Sequence, residues 1–413
     1  MFEATVILDW AEFAARWLHV ITAIAWIGSS FYFIALDLGL RKVADMPPGV
    51  HGEEWQVHGG GFYHIRKYMV APAALPEHLT WFKWESYWTW MSGFILLCLV
   101  YYIGADLFLI DPEVLDLPVW GAIAISLGVI VGGWFGYDLI CKSRLGQNPT
   151  MLMLVLYAIV VVLAWALTQV FSGRAALLHL GAVTATIMSA NVFITIIPNQ
   201  KIVVEDLKAG RQPDPEYGRI AKLRSTHNNY LTLPVIFLML SNHYPLAFAG
   251  EYNWIIASLV FLMGVTIRHY FNSHHARKGN PLWTIPATIA LFAAIIVLSL
   301  LPFWMGDEPA ETTEAPMTPA MLELAATEGF EDVVITVQSR CAMCHATWPG
   351  WDGIAVAPKN VRLETEADVL RHARAIMLQS GITRAMPPAN VSFMEPAERK
   401  LIRDWYVRAG APL

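Results

Sequence analysis

Eight apolar stretches long enough to cross a bilayer lie within residues 1–305 and leave the chain little choice of fold. A hydrocarbon core of roughly 30 Å needs about 20 helical residues. The stretches fall near 11–37, 86–110, 117–140, 150–171, 174–198, 229–248, 253–272 and 282–305. Backbone groups facing lipid must bond within their own segment, so each stretch is expected to be helical. The sixth is the weakest, with Pro234 inside it and a polar end at Ser241, Asn242 and His243. Glu3 and Asp9 stand where the basic region of a cleaved leader belongs, so no such leader is expected. Only 15% of residues are charged, where a soluble domain carries about 25%. A net charge of −6 gives no strong positive field for nucleic acid, and four Cys are too few for a disulfide scaffold.

Lysine and arginine set the expected orientation. Fifteen of them fall in the odd-numbered loops, from Arg41 and Lys42 through Lys201 and Arg224 to Arg277 and Lys278. The even-numbered loops hold one, Arg174. Odd loops therefore face the cytoplasm, and both chain ends lie outside. At an offset of 160 residues the first and fifth helices share Leu18/Leu178, His19/His179, Ala25/Ala185, Ile27/Ile187, Ser29/Ser189, Phe33/Phe193 and Ile34/Ile194. A four-plus-four parallel repeat would produce such matches; chance between two helices of similar composition would do so too.

After Trp304 the composition changes. Residues 306–320 are Pro-rich, acidic and free of Lys and Arg, which reads as a linker. The remaining residues, 321–413, are expected to form a soluble domain outside the membrane. Cys341-Ala342-Met343-Cys344-His345 is the attachment signature of a c-type haem. Two thiols reach the two vinyl groups of one porphyrin, and the adjacent imidazole meets the iron. A redox pair does not require the following His, and a zinc site needs a second Cys pair. Met386, in Arg384-Ala385-Met386-Pro387-Pro388, is the expected sixth ligand, held in a loop that the two Pro stiffen. Met343, Met377, Met394 and His372 are the weaker candidates. Segments 329–340 and 396–409 read as terminal helices packing through Val333, Val334, Leu401, Trp405 and Tyr406. Together these features resemble a class I cytochrome c. The expected fold is thus all-α, an eight-helix transmembrane bundle followed by a cytochrome c domain.

Histidines inside spans are costly and are read as functional. His19 and His179 would both lie roughly 8–12 Å below the outer surface by helical rise. That depth suits two axial ligands of one haem b; hydrogen bonding between helices is the plainer account. The run Leu18-His19 to Trp26 and Gly28 resembles haem-binding membrane oxidoreductases of the protoporphyrinogen-oxidase and copper-resistance types. A second constellation lies toward the cytoplasm. The first loop carries His58, His64, Arg66 and Lys67 around Gly59-Gly60-Gly61, a pattern that suggests a hairpin. Glu85, Arg224, His227, Asn228, Arg268, His269, His274 and His275 stand at helix ends on the same side. They could line one polar pocket, or in part anchor the chain among lipid headgroups. Cys98 and Cys141 read as buried, inert thiols.

The segments WQVHGGGFYH, WFKWESYWTWMSG, SANVFITIIPNQ and RSTHNNYLTLPVIFLMLSNHYPL, with the C-terminal haem motif, resemble the membrane-bound, cytochrome-c-fused urate oxidase family. The resemblance covers the whole chain. It implies an oxidoreductase of the bacterial inner membrane that converts urate to 5-hydroxyisourate in purine breakdown. Its cofactors would be one covalent haem c and, if the paired His serve it, a haem b. Its partners would be urate, lipid and a downstream respiratory electron acceptor. A planar anion wants a cation and edge hydrogen bonds, which Arg66, Arg224 or Arg268 could supply. His58, His227 or Glu85 could act as base, with His269 in the same set. If no haem b bridges the membrane, the substrate must bind on the outer side, near Trp17, Trp26, His243 and Tyr244. Two other classes stay open, a quinol-to-cytochrome electron-transfer protein and a non-catalytic membrane anchor for a cytochrome.

Overall fold

The structure, a computed structural model, describes residues 2–68, 72, 75–305, 317–354 and 356–410. Most of the linker expected over 306–320 lies outside the described residues. The helices are α1 Phe2–Gly39, α2 Trp84–Leu97, α3 Ala105–Phe108, α4 Val119–Lys142, α5 Pro149–Thr168, α6 Gly173–Ala190, α7 Ile197–Lys208 and α8 Pro215–Ser241. They continue with α9 Pro245–Phe248, α10 Asn253–His275, α11 Thr284–Met305, α12 Pro319–Ala325, α13 Phe330–Cys341, α14 Glu366–Arg371, α15 Ala373–Ile376 and α16 Pro396–Arg408. A two-stranded hairpin, β1 Val50–His58 and β2 Gly61–Tyr68, sits between α1 and α2.

Among the described residues, six helices are long and apolar enough to span a membrane, namely Val6–Gly39, Val119–Lys142, Pro149–Thr168, Gly173–Lys208, Asn253–His275 and Thr284–Leu301. Asn148 starts α5 by accepting the Thr150 and Met151 amides, with Pro149 at the first position, a cap of about 1 kcal/mol. The expected second and sixth spans are helical but of another kind. The stretch 86–110 is not one helix: α2 ends in a π-turn over Cys98–Tyr102, and Gly104 breaks the chain before α3. In place of 229–248, α8 begins at Pro215, where Asp214 accepts the Glu216 amide, and runs through Pro234 to Ser241. Gly264 of α10 allows that close passage, since a Cβ there would lie 2.6 Å from the Pro234 ring. Both α2 and α8 pack against protein, α2 on α1 and α6, and α8 between α6 and α10. Faces turned to other helices need not be apolar, which accounts for Ser86, Thr89, Ser92, Asn228, Asn229 and Thr232 buried on them.

The hairpin is as the glycine pattern predicts. Gly59 and Gly60 have φ of 60° and 79°, the positive values that a primed two-residue turn requires. Tyr32 of α1 donates to Gln56 at 2.6 Å and Asp37 pairs with Lys67, which together fix the hairpin to the end of α1.

Residues 321–406 build a second core, separate from that of the bundle. The terminal helices fall where the sequence puts them, as α13 and α16, with Phe330 stacked on Trp405 at 5.8 Å. This domain meets the bundle at an Arg374–Asp9 ion pair of 3.1 Å and where α9 lies beside the turn Pro358–Asn360.

Candidate functional site

The C-x-x-C-H motif begins at the end of α13. Cys341 ends α13, and its carbonyl accepts the amides of Cys344 and His345 at 3.1 and 2.9 Å. Both thiols and the imidazole therefore sit within one turn, and neither Cys is in a disulfide. His345 Nδ1 lies 2.8 Å from the Val361 carbonyl. A carbonyl only accepts, so Nδ1 carries the proton and Nε2 keeps its lone pair for a metal. Burial holds the His345 imidazole below its usual range. Of the methionines, Met377 and Met394 fill the domain core and Met343 is exposed. Met386 is half-buried in a loop pinned on both sides, its amide on Gln379 and its carbonyl on Arg399.

Of the residues expected at the other end of the bundle, Arg224, His227 and Asn228 meet in one polar network, and the others are held elsewhere. Among the described residues no hydrogen bond or ion pair joins any two of His58, Arg66, Glu85, His227 and His269. His58 is exposed beside the hairpin turn. Arg66 donates to Glu53 at 3.1 Å, as does the ring of His64 at 2.9 Å, and Trp55 stacks on His64. The carboxyl of Glu53 is held below its usual range by these His64 and Arg66 bonds. His269 meets only Tyr230, at 3.3 Å, and the Trp283 ring. His227 belongs to a closed polar network. Arg224, 3% exposed, donates to Asp138 at 2.6 Å and to Asn191 at 3.3 Å. Asn191 donates to Tyr137 and Asn228, and the Tyr137 hydroxyl lies 2.8 Å from His227 Nδ1. Lys142 completes the neutralisation of Asp138. Arg268 is held separately, by Asn229 and Asn272 at 3.0 Å, over the face of Phe31.

His19 and His179, matched in sequence, have different surroundings. His179 is fully buried, with Nδ1 2.7 Å from the Ala175 carbonyl and Nε2 2.6 Å from the Ser126 hydroxyl. Its ring stacks on Phe171 at 4.7 Å. His19 Nδ1 lies 2.9 Å from the Thr89 carbonyl and 3.2 Å from the Ser92 hydroxyl, while Nε2 has no partner among the described residues. The ring fits against α2 because residue 93 is Gly; a Cβ there would come within 2.8 Å of it.

His19, unlike His179, lines a cavity of about 230 Å³ between α1, α2, α6 and α8. Trp26, Trp90 and Phe94 give it an aromatic wall, with Trp90 and Phe94 stacked at 5.5 Å. Arg16, Tyr101, Arg174, Asn242 and His243 are its polar lining. Arg174 lies over the Phe108 ring at 4.8 Å and has no carboxylate partner among the described residues. Burial, then Arg16, Lys359 and Arg174, hold His243 below its usual range. Lys359 comes from the C-terminal domain. Arg174 also borders a cleft of about 750 Å³ between that domain and the bundle. Of the outer-side residues that the sequence suggests, Trp26 and His243 line the cavity. Tyr101, Arg174 and Asn242 were missed; the signal for Arg174 is that it alone interrupts loops otherwise free of basic residues.

Residues 5–299 match the family model described as urate oxidase N-terminal. No curated protein and no solved structure matches the chain.

Proposed function

The chain belongs to the urate oxidase N-terminal family, and we propose that it is a membrane-bound oxidoreductase converting urate to 5-hydroxyisourate with haem c on its own C-terminal domain as electron acceptor. The observation that carries this reading is the C-x-x-C-H turn, with His345 Nε2 left free, in a domain packed on the family-matched bundle. The urate anion and water together give the 5-hydroxyisourate anion, two protons and two electrons. The chain's tasks are to hold a planar anion, take a proton and exclude competing reactions. Cys341 and Cys344 would bind the porphyrin covalently, and His345 and Met386 would be the iron ligands. Haem c, when bound, supplies a one-electron acceptor whose potential a His/Met pair raises.

In this reading α2 and α8 also cross the bilayer, making eight spans. The charge asymmetry then puts both chain ends and the C-terminal domain on the periplasmic side of the bacterial inner membrane, within reach of a downstream respiratory acceptor. A haem b on His19 and His179 is the competing relay, and it requires His179 Nε2 to release Ser126, while the Nδ1 contact with the Ala175 carbonyl could stay.

Anaerobic mixing of the purified full-length chain with urate tests the reading. Urate absorbance should fall as the haem bands become those of the reduced form. Reduction by a quinol but not by urate would replace it with the quinol-to-cytochrome reading. Reaction with neither would leave the anchor reading.

A further inference from the structure

Six buried polar side-chain atoms lack a hydrogen-bond partner among the described residues, and three of them belong to residues that line one cavity. They are Tyr101 Oη, Arg174 Nε and Asn242 Oδ1, with the Tyr101 hydroxyl close to the Arg174 guanidinium. Each comes from a different helix or helix end, so no local strain accounts for their meeting. Leaving such a group unmet costs about 1–3 kcal/mol, and native proteins rarely leave several together. Water alone is one way to satisfy them. The rest of the lining argues for something larger. Trp26, Trp90 and Phe94 offer flat apolar surface, which water does not need. The volume, about 230 Å³, exceeds the roughly 150 Å³ of an apolar cavity that takes up benzene.

The chemistry of the lining specifies the guest. Arg174 is a cation without a carboxylate partner among the described residues, Arg16 also lines the cavity but is paired with Glu12, and Lys359 adds charge from the C-terminal domain. The guest is therefore an anion. It needs flat faces for the aromatic wall and, on its edges, atoms that pair with a guanidinium, a phenol and a carboxamide. His19 adds a directed base. Its Nδ1 faces a carbonyl that can only accept, so the proton sits on Nδ1 and Nε2 holds a lone pair.

We propose that this cavity is the urate site. Arg174, Tyr101 and Asn242 bind the edges of the anion, and His19 Nε2 accepts the first proton it releases. This deepens the urate reading and rests on it, but moves the substrate away from the hairpin end and places it under the C-terminal domain. The second proton goes to solvent, and the two electrons leave one at a time for the haem acceptor named above.

The test uses the full-length holoprotein in nanodiscs, with urate as the probe. Anaerobic quenching of Trp fluorescence reads binding, and loss of urate absorbance reads turnover. Arg174→Gln should weaken urate binding about tenfold to a hundredfold. Asn242→Leu and Tyr101→Phe should each weaken it several-fold. His19→Gln should leave affinity within about threefold, lower kcat about a hundredfold or more, and abolish the acid limb of the kcat–pH profile. Should Arg174→Gln fold poorly, Ala182→Leu narrows the cavity from its apolar wall and should weaken binding without touching a polar group. If the unmodified protein oxidises urate but these variants bind and turn it over normally, the cavity holds water only and the inference fails while the urate reading stands. If the unmodified protein neither binds nor oxidises urate, the urate reading itself fails.

Discussion

The bundle holds two clusters of buried polar groups, and they are built in opposite ways. Around Arg224, the guanidinium has Asp138 and Asn191, Asn191 has Tyr137 and Asn228, and Tyr137 has His227. None of these residues has a buried side-chain atom left without a partner. Around Arg174, three residues do, and a cavity lies between them. A closed network spends its hydrogen-bonding capacity on holding helices α4, α6 and α8 together. An open one keeps that capacity for something that comes and goes. His179 and His19 repeat the contrast at matched positions, one with both nitrogens bonded and the other with one free.

Removing a member of the closed network should have the largest effect on folding. Arg224→Ala leaves buried Asn191 and Asp138 short of a donor and should destabilise the protein by about 3–5 kcal/mol. Denaturant melts of the detergent-solubilised chain read this, and the folded fraction should bind urate normally. An Arg224→Ala protein of ordinary stability and weak urate binding would exchange the roles of the two clusters.

The histidine pair gives the next largest difference. His179→Ala loses two hydrogen bonds and a stacked ring, which should cost about 2–4 kcal/mol. His19→Ala loses its bonds at a cavity wall and should cost about 1 kcal/mol, while turnover falls far more. Extraction into acidified acetone should release no haem from either variant or from the unmodified protein. A non-covalent haem that disappears in both variants would place the pair on one cofactor and overturn the contrast.

The C-terminal domain carries the same distinction in water. Met386→Ala should leave stability within about 1 kcal/mol, because the side chain is outside the core. It should nonetheless lower the haem potential and loosen the low-spin spectrum, since the thioether favours reduced iron. An unchanged spectrum would transfer the ligand role to another residue. Arg340 and Glu398 are the closed counterpart, paired at 2.9 Å. Burial alone would raise the Glu398 carboxyl; the Arg340 hydrogen bond and the Glu395 amide hold it below its usual value. The pair's contribution is complete above the ordinary carboxylate range and fades as pH falls through the lowered folded value. It should be at most about 1 kcal/mol after solvent screening. Comparing the acid side of the melting curve with that of Glu398→Gln measures it.

The sequence makes the helices legible because apolar runs and the C-x-x-C-H spacing are local signals. The hairpin is legible for the same reason, through Gly59 and Gly60. The cavity is not local. His19, Tyr101, Arg174 and Asn242 come from four separate parts of the chain, and Tyr and Asn are common at helix ends. Nor does a sequence show which groups already have partners. His227 and Arg224 look reactive as residue types, and only packing reveals that they are occupied by each other's neighbours. The tally of basic residues did carry one clue: its single exception, Arg174, is the cation that the cavity uses.

The contact between the C-terminal domain and the bundle, an ion pair and a short turn beside an open cleft, has a kinetic consequence. Were the two parts separate molecules, their docking would depend on their concentrations. Here they are one molecule, with residues 306–318 joining α11 to α12. A short connection of this kind holds the second partner at an effective concentration in the millimolar range. A millimolar affinity then suffices to keep the domain docked about half the time. In the urate reading proposed above, the domain would spend the remainder exposed to an external acceptor and return without a diffusional search, so a loose contact would serve a shuttle.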